Sequence, residues 1–406
     1  MDNSTIIAPP KTIAHKSIGA AVKAAALFSG PNNRFTVPRL NAVNVTSGAG
    51  GLSVESGSTD YSCRIDIPGG GTDDTTTVQL DADAVRAVSL FSGDTIGIIV
   101  DDVGRRSVSV GGATMPAGGD PTELCRHTPP AGETRTVSIP WRAWAAAESA
   151  IVPATDLESS RYALGAVLLQ TASGRGFFIG TDGRRLHAMS APVQGNEGQM
   201  LLTAPVWGKV RKAVETAARS TTGLTGRKLA AALADTAVSI TTNGTNLSIF
   251  WTDGGAAVTV TTAEMQGRFP RWKDVFPRRP DALRCTFDGP TLRREIRAAA
   301  VVTTEQAKGV TFRRDGTFPA ELTAGRGEKT FSGSLSGDVP AGVGVKLDPR
   351  FVQDMIDSAA AVLPGAPIVA ETTDKESAVV ATVGAGLDAD GNDYGFAACI
   401  MPLGDD

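Results

Sequence analysis

VQLDADAVRAVSLFSG, residues 78–93, can be laid residue for residue on VKLDPRFVQDMIDSAA, residues 345–360. Each stretch begins with a short β-type run, passes through a polar or proline-containing break and continues as a helical stretch. The same outline appears in three further stretches, and a helix predicted from about 17 to 28 makes six units. Internal repetition of this kind predicts a chain built from one duplicated strand-and-helix unit. The three further stretches are VSIPWRAWAAAESA (137–150), LLTAPVWGKVRKAVE (201–215) and CTFDGPTLRREIRAAA (285–300).

Prolines and turn pairs mark the predicted element boundaries. Proline suits the first helical turn, because its missing N–H would have no partner there in any case. Between the helices the sequence alternates apolar and polar residues and is broken by Asn243-Gly244 and Asp253-Gly254, a pattern that predicts antiparallel hairpins. Similar runs occur at 96–110, 166–180, 309–323 and 367–383. The prolines near predicted helix starts are Pro140, Pro205, Pro290 and Pro349.

The six units pair into three domains of two helices each. A length of 406 residues favours two or three domains. The predicted boundaries are 1–133, 134–277 and 278–406, with the first in the proline-rich stretch after Cys125. The predicted fold class is α+β, with three similar domains that each pack two helices on antiparallel sheets. Chance similarity in a sequence rich in alanine, threonine and glycine is the alternative explanation of the repeat.

Composition excludes several classes of protein. With 41% hydrophobic residues the chain has enough apolar side chains for ordinary globular cores. The N-terminus lacks the pattern of a signal peptide, and no apolar run reaches the length of a membrane span, so we expect a cytoplasmic protein with no membrane partner. The four cysteines are widely separated and include no CxxC pair, which predicts buried thiols. We therefore expect no metal and no cofactor.

Positive charge is concentrated on particular predicted helices. The net charge of −4 argues at first against a nucleic-acid partner. However, residues 11–28 carry three lysines and no acid, and 205–217 carry three basic residues against Glu215. Residues 290–302 carry three arginines against Glu295 alone. A solvated helix face explains any one of these helices, whereas three at equivalent repeat positions favour a shared phosphate-binding surface.

Four motifs in register resemble one family. They are RYALGAVLLQ (161–170), FFIGTDGRRLHAMSAPV (177–193), QGRFPRWKDVFP (266–277) and FAACIMPL (396–403). Their order and spacing resemble the bacterial DNA polymerase III β sliding clamp family. The resemblance extends over nearly the whole chain, since RFTVPRLNAVNV (34–45) and AAAVVTTEQAKGVTFRR (298–314) also match. It implies a ring formed by a head-to-tail homodimer that encircles duplex DNA and tethers the polymerase without catalysing a reaction.

The resemblance also implies DNA contacts that are independent of base sequence. Arg34 matches a loop that approaches DNA in the family, and Arg161 and Tyr162 match positions where duplex or single strand can approach the second domain. A turn residue and a rim aromatic are the structural alternatives for Arg34 and Tyr162. The basic helices supply the other predicted DNA contacts: Lys209, Lys212, Arg293, Arg294 and Arg297.

A client groove is the second site that the resemblance implies. In the family, the polymerase, the clamp loader and other clients insert a short peptide with a glutamine and apolar anchors between the second and third domains. Flexible Met and aliphatic walls suit a site that accepts several related peptides. A last strand and a strand-edge proline are the alternatives for the C-terminal residues and Pro270. The matching positions are Leu164, Thr181, Gly183, Arg185, Leu186, Pro270, Val275, Ile400, Met401, Pro402 and Leu403.

The chain departs from the family at several positions. Arg184 replaces the usual histidine, Asp274 replaces a basic residue, and the chain ends in Gly404-Asp405-Asp406. These changes predict a more acidic groove mouth and a different client preference. The stretch 217–235 is longer than the family needs.

No catalytic constellation is recognisable. The sequence lacks GxxxxGK[ST], HExxH and G-x-S-x-G, and its three histidines are isolated. We expect His187 to face solvent or to pack. Asp60 and Asp182 are better explained as turn aspartates than as paired catalytic carboxylates. Two alternatives to a clamp stay open, namely a clamp-derived peptide-binding protein that does not encircle DNA and an unrecognised enzyme that uses 217–235.

Overall fold

The structure is a computed structural model that describes most of the chain. The described residues are 11–15, 18–29, 42–69, 75–90, 95–101, 105–110, 113–117, 124–158, 163–276, 280–305, 307–326, 329–388 and 393–404. The chain divides into two compact units. Unit 1 contains Met1–Arg142 and Gly208–Glu264, and unit 2 contains Ala143–Trp207 and Met265–Asp406. Residues 134–277, predicted as one domain, are thus shared by both units, and the three-domain division stays a prediction.

The described residues form seven α-helices and twenty-five strands. The helices are α1 (Ile18–Ala25), α2 (Ala82–Leu90), α3 (Trp141–Ala150), α4 (Ala204–Thr222), α5 (Gly226–Leu233), α6 (Gly289–Ala300) and α7 (Pro349–Val362). The strands up to residue 140 are β1 (Lys11–His15), β2 (Val43–Gly48), β3 (Gly51–Gly57), β4 (Tyr61–Ile67), β5 (Thr76–Leu80), β6 (Ile96–Val100), β7 (Arg106–Val110), β8 (Ala113–Pro116) and β9 (Arg135–Pro140). Those up to residue 263 are β10 (Ala166–Ala172), β11 (Arg175–Thr181), β12 (Arg185–Pro192), β13 (Gln194–Gly195), β14 (Gly198–Thr203), β15 (Ala237–Thr242), β16 (Asn246–Thr252) and β17 (Ala257–Ala263). The remainder are β18 (Leu283–Phe287), β19 (Val310–Arg313), β20 (Glu321–Arg326), β21 (Lys329–Ser334), β22 (Gly344–Leu347), β23 (Ile368–Thr372), β24 (Val379–Val383) and β25 (Gly395–Ile400).

The predicted α+β class is confirmed, with all six predicted helices present. Local sequence explains the clearest helix starts. Asp288 caps α6 by accepting a hydrogen bond from the Thr291 N–H at 3.0 Å, and Pro290 occupies the first turn. Asp348 accepts a hydrogen bond from the Arg350 N–H at 2.9 Å, and Pro349 begins α7. The seventh helix, α5, lies in the stretch 217–235 and buries Leu229 and Leu233.

Unit 1 is dominated by one antiparallel sheet. Eight of its strands lie side by side in the order β9-β15-β16-β17-β4-β3-β2-β5, and β1-β6-β7-β8 form a second sheet. The two predicted hairpin turns join β15 to β16 and β16 to β17. In the first, the Asn243 carboxamide accepts hydrogen bonds from the Thr245 and Asn246 N–H groups at 3.1 and 2.9 Å. Helices α1 and α2 pack together, and α1 buries Ile18 and Val22.

Unit 2 contains a central sheet of eight antiparallel strands. Their order is β14-β10-β11-β12-β25-β24-β23-β18, and β21-β20-β19-β22 form a smaller sheet. Every residue of β25 is buried, because this strand lies in the middle of the larger sheet. Helices α6 and α7 pack together, and Trp144 of α3 stacks on Trp207 of α4 with ring centroids 4.2 Å apart. The C-terminal strand is therefore fixed in the core of the unit.

Membrane insertion through a helix has no support among the described elements. None of the described helices combines the length and the apolar composition needed to cross a bilayer.

Candidate functional site

The turn between β11 and β12 is built by its own side chains. The Thr181 hydroxyl donates a hydrogen bond to the Arg185 carbonyl at 2.6 Å and accepts one from the Gly183 N–H at 3.1 Å. The Asp182 carboxylate accepts from the N–H groups of Arg184 and Arg185, both at 2.9 Å. Gly183 has a φ of +85°, which a side chain would strain. This motif therefore fixes the backbone of the turn that carries Arg184 and Arg185.

Arg185 is tied into unit 2 by its guanidinium. It donates to Asp182 at 3.1 Å, to Asp354 of α7 at 2.5 Å and to the carbonyl of Pro153 at 2.6 Å. The guanidinium carbon also lies 4.4 Å from the centroid of the Phe351 ring. With 10% of its side chain exposed, Arg185 serves to join β12 to α7 and leaves little for an external ligand.

The last strand presents its residues to opposite faces of the sheet. Cys399 lies opposite Leu186 in the ladder with β12, and both side chains belong to one apolar cluster. Ile400 points the other way, because neighbouring strand residues alternate. It lines an interior cavity together with Phe287 and Met355 and is 2% exposed. Among the predicted groove residues, Ile400 therefore belongs to the core of unit 2.

Beyond β25, the tail (residues 401–404) is held at both sides. The Met401 N–H donates to the Arg184 carbonyl at 2.9 Å, and the Leu403 N–H donates to the Lys346 carbonyl at 2.8 Å. Met401 remains 47% exposed, whereas Pro402 and Leu403 are half-buried. The tail is thus docked on unit 2 while offering an exposed thioether.

A connector, residues 265–276, covers one face of the larger sheet of unit 2. Its first residue, Met265, donates its N–H to the Leu201 carbonyl at 3.2 Å. Farther along, the Trp272 indole N–H donates to the Gln170 side chain at 3.2 Å. These two hydrogen bonds hold the connector beside one apolar cluster, which includes Leu186, Trp272 and Cys399. Three further connector residues pack against this cluster: Phe269, Val275 and Phe276.

The predicted groove residues all lie in unit 2 but fall into separate groups. Thr181, Gly183 and Arg185 form the turn, and Leu186 and Val275 meet in the apolar cluster. Leu164 is 7% exposed, and Pro270 is half-buried in the connector. The sequence analysis missed Phe269, Trp272, Phe276 and Cys399. The aromatic spacing of FPRWKDVF, which the motif at 266–277 already contained, was the signal for the first three.

The charges that distinguish this chain lie at the surface. Arg184 is exposed and forms no ion pair with a described residue. Asp274 is exposed in a short helical turn of the connector, next to Lys273, whose ammonium lies 5.6 Å from the Trp272 ring centroid. Asp405 and Asp406 lie outside the described residues. The surface around the cluster therefore carries both signs of charge.

On α4, the two predicted phosphate contacts differ in their environment. The Lys209 ammonium lies 4.4 Å from the Tyr61 ring centroid and 5.8 Å from that of Phe28. Its partial burial lowers the pKa of Lys209, an effect that the nearby Asp60 charge opposes. Lys212 is exposed and forms no ion pair within the described part of the chain. Lys212 is thus the more available of the two.

On α6, the three arginines also differ. Arg293 donates to the Asp357 carboxylate of α7 at 2.7 Å, which joins the two helices. Arg294 and Arg297 are exposed and have no ion-pair partner among the residues that the structure describes. Two guanidinium groups are therefore free to meet phosphates. The other predicted DNA contacts, Arg34, Arg161 and Tyr162, lie outside the described residues.

His187 packs in the interior, one of the two outcomes expected for it. Its Nδ1 lies 2.9 Å from the Ala150 carbonyl and 3.1 Å from the Ser358 hydroxyl. Burial lowers the pKa of His187 to about 4, with a smaller contribution of the same sign from the Arg185 charge. The ring joins α3, β12 and α7 and has no access to a substrate. The described residues contain no group of histidine, cysteine, aspartate and glutamate suited to hold a metal ion.

Comparison with known proteins gives matches in structure alone. No protein-family model and no curated protein matches the sequence. The DNA polymerase sliding clamp from Bacillus subtilis is 15% identical with a TM-score of 0.78, and the match covers 98% of this chain and 99% of that chain. The DNA polymerase III β subunit from Thermotoga maritima is 12% identical with a TM-score of 0.77, over 97% and 99% of the two chains. The corresponding subunit from Pseudomonas aeruginosa is 17% identical with a TM-score of 0.74, also over 97% and 99%. The resemblance found in the motifs is therefore confirmed at the level of the fold.

Proposed function

Because the chain shares the fold of solved bacterial sliding clamps, we propose that it is a DNA sliding clamp. In this role it encircles duplex DNA and tethers the replicative polymerase and other clients for processive synthesis. The observation that carries the proposal is the coverage, since the matched structures and this chain correspond over 97–99% of their lengths. Function comes from tethering, so the protein itself is a non-catalytic subunit that acts in the cytoplasm.

A ring of two chains arranged head to tail is part of the same proposal. Each chain contributes three domains, 1–133, 134–277 and 278–406, with one pair of packed helices in each and the additional helix α5 in the second. Packed helix pairs support this division, because α1 meets α2 and α6 meets α7. The stacked tryptophans of α3 and α4 supply the third pair. Duplication of one unit would explain why all three pairs recur.

DNA contacts in the proposed ring are made to phosphates. Lys212, Arg294 and Arg297 are exposed on helices and form no ion pair with a described carboxylate. Such contacts position the duplex without reading bases, which permits sliding. Lys209 and Arg293 have partners inside the chain and act mainly by shaping the helices that carry the free charges. Arg34, Arg161 and Tyr162 remain proposed contacts on the strength of the motif resemblance.

The client groove is proposed along the turn, the connector and the tail. Leu186 and Val275 supply apolar side chains. Met401 supplies an exposed flexible side chain, and Pro402 and Leu403 follow it in the tail. Short peptides of the polymerase and the clamp loader would bind there. Arg184 and Asp274 place opposite charges at the surface, so clients of this chain would carry charges adapted to them.

A clamp-like protein that binds peptides without encircling DNA is the second candidate. The net charge of −4 favours it, as does the engagement of Lys209 and Arg293 inside the chain. Light scattering separates the two functions at micromolar protein. The ring predicts twice the mass of one chain, and a stable monomer would support the second candidate instead.

A further inference from the structure

A groove of about 480 Å³ runs beside the tail on the side of β22. Pro402 and Leu403 form its apolar wall. Three residues of β22 (344–346), Thr311 of β19, Gly404 and the turn between β23 and β24 form the rest of the lining. All of these residues belong to unit 2. Because Pro402 and Leu403 line the groove, it lies directly beside the docked tail.

The groove follows a strand edge whose backbone groups are largely unpaired. Strand β22 pairs with β19 on one side, where the Arg314 N–H donates to the Val343 carbonyl at 2.9 Å. Hydrogen-bonded pairs alternate along an antiparallel ladder, so the backbone groups of Gly344 and Lys346 point away from β19. Of these, the Lys346 carbonyl receives the Leu403 N–H at 2.8 Å. The Lys346 N–H and both backbone groups of Gly344 have no partner among the described residues.

The side chains at this edge allow another backbone to approach. A β-carbon at Gly344 would have no heavy atom within 4 Å, so the space above it is open. Lys346 lies along Gly309, where an added β-carbon would come within 2.5 Å of the lysine Cγ. No described carboxylate forms an ion pair with Lys346. Among the described lining residues, the charges of Lys346, Lys375 and Glu376 sum to one positive unit.

We propose that this groove binds the residues flanking a client's anchor peptide, as an added β-strand on the edge of β22 with a peptide carboxylate beside Lys346. A strand edge offers backbone hydrogen bonds to any extended peptide, and neighbouring side chains supply the selectivity. The groove shares Pro402 and Leu403 with the proposed client groove. A client peptide bound at the tail would therefore reach β22 by extending along the same groove. This inference rests on the proposed clamp function and adds the chemistry of the partner.

Synthetic peptides test the acidic preference. One fluorescent peptide carries a glutamine with aliphatic and aromatic anchors, and two sets of longer peptides extend it by four residues at either end. Each extension contains two aspartates, two glutamines or two lysines. At one of its two ends, the peptide extended with aspartates should bind about two- to fivefold more tightly than the peptide extended with glutamines. This difference in affinity is the range expected for an ion pair near the surface. In Lys346→Gln this advantage should vanish, whereas Lys308→Gln should keep it, because Lys308 already pairs with Glu305 at 2.9 Å.

Substitutions at Gly344 test the added strand. Gly344→Pro removes the outward N–H and places a ring at the edge, a position that tolerates proline in sheets. It should reduce the affinity of the extended peptide about fivefold, to that of the anchor peptide alone. Gly344→Ala keeps the N–H and should bind like the wild type. Thermal melting of both variants checks that the fold is intact.

The outcomes distinguish failure of the strand-edge inference from failure of the proposed client groove. If the anchor peptide binds but the extensions add nothing in the wild-type protein, the strand-edge inference is wrong and the clamp function stands. Equal affinity for aspartate and lysine extensions overturns the role of Lys346. If the anchor peptide itself does not bind, the proposed client groove fails, and the inference fails with it.

Discussion

Arg184 and Arg185 are adjacent in sequence and have different roles. Arg185 bonds to Asp182, Asp354 and the Pro153 carbonyl, whereas Arg184 is exposed. Removing a largely buried partner leaves carboxylates uncompensated, which is costly, while an exposed charge contributes little. We expect Arg185→Met to lower the free energy of unfolding by about 3 kcal/mol. Arg184→Met should change it by less than about 0.5 kcal/mol. Urea unfolding of both variants measures the difference, and equal losses would contradict the assigned contacts.

His187 predicts a specific dependence of stability on pH. The ordinary pKa of histidine is 6.5, and burial lowers that of His187 to about 4 in the folded chain. Above pH 6.5 the ring is neutral in both states. Between pH 6.5 and 4 the unfolded chain takes up the proton first, so stability falls as the pH falls, and it levels off below pH 4. The loss should reach about 1.4 kcal/mol by pH 5.5.

The substitution His187→Asn isolates this contribution. Unfolding is measured in urea between pH 7.5 and pH 4.5 for the wild type and the variant. The variant should lose less stability over this interval, even if it is less stable at every pH, because the other titrating groups are shared. Parallel curves for the two proteins would show that His187 is not buried as a neutral ring.

At the scale of elements, the sequence predicts what local chemistry decides. Asn243-Gly244 and Asp253-Gly254 predict hairpins, and hairpins form there, because the turn side chains bond to their own backbone. Partners distant in sequence are not predictable in this way. Lys209 of α4 lies against Tyr61 of β4, and Arg293 of α6 bonds to Asp357 of α7. The basic helices could therefore be recognised, while the number of free charges could not.

The same limit applies to the candidate groove. The motif FAACIMPL, which ends in Leu403, identifies the tail. The tail docks because the chain leaves β25 beside Arg184, whose carbonyl receives the Met401 N–H. The orientation of Ile400 depends on strand register, and a shift by one residue exchanges the two faces. Register in this sheet is set by partners from three separate parts of the chain. The sequence can therefore name Ile400 as a groove residue, but it cannot predict that the side chain faces the cavity lined by Phe287 and Met355.

The tail can be tested as an element. Met401→Ala should weaken anchor-peptide binding about tenfold, because an exposed flexible apolar side chain is removed from the proposed groove. Deletion from Met401 onward should weaken it further, since the Leu403 bond to Lys346 is also lost. Fluorescence anisotropy measures affinity, and sedimentation should show the same oligomeric state as the wild type. Unchanged peptide affinity would place the client site elsewhere.

The helix α6 can be tested by charge reversal. Arg294→Glu with Arg297→Glu should reduce DNA binding and lower its salt slope by about 2, because each phosphate contact contributes about 0.9. The matched control is Arg227→Glu with Lys228→Glu in α5, which makes the same change in net charge at exposed positions without a proposed DNA contact. An equal effect of both pairs would mean that net charge, and not the surface of α6, controls binding.

At the scale of the whole molecule, fold similarity extends much farther than sequence similarity. Identities of 12–17% accompany TM-scores of 0.74–0.78 over nearly complete chains. Antiparallel sheets need alternating apolar residues and suitable turns, and many sequences satisfy both requirements. Encirclement is a property of the assembled chains and depends on interfaces that individual motifs do not specify. It is therefore the claim that most needs a direct measurement.

Retention on circular DNA, compared with linear DNA, measures encirclement. The protein is loaded on a nicked circular plasmid with its cognate loader, and the complex is separated by gel filtration before and after the plasmid is cut once. A ring stays on the circle in high salt and is lost when the DNA is linearised, because it slides off the ends. Equal retention on circular and linear DNA, or no retention on either, would contradict the proposal that this chain is a sliding clamp.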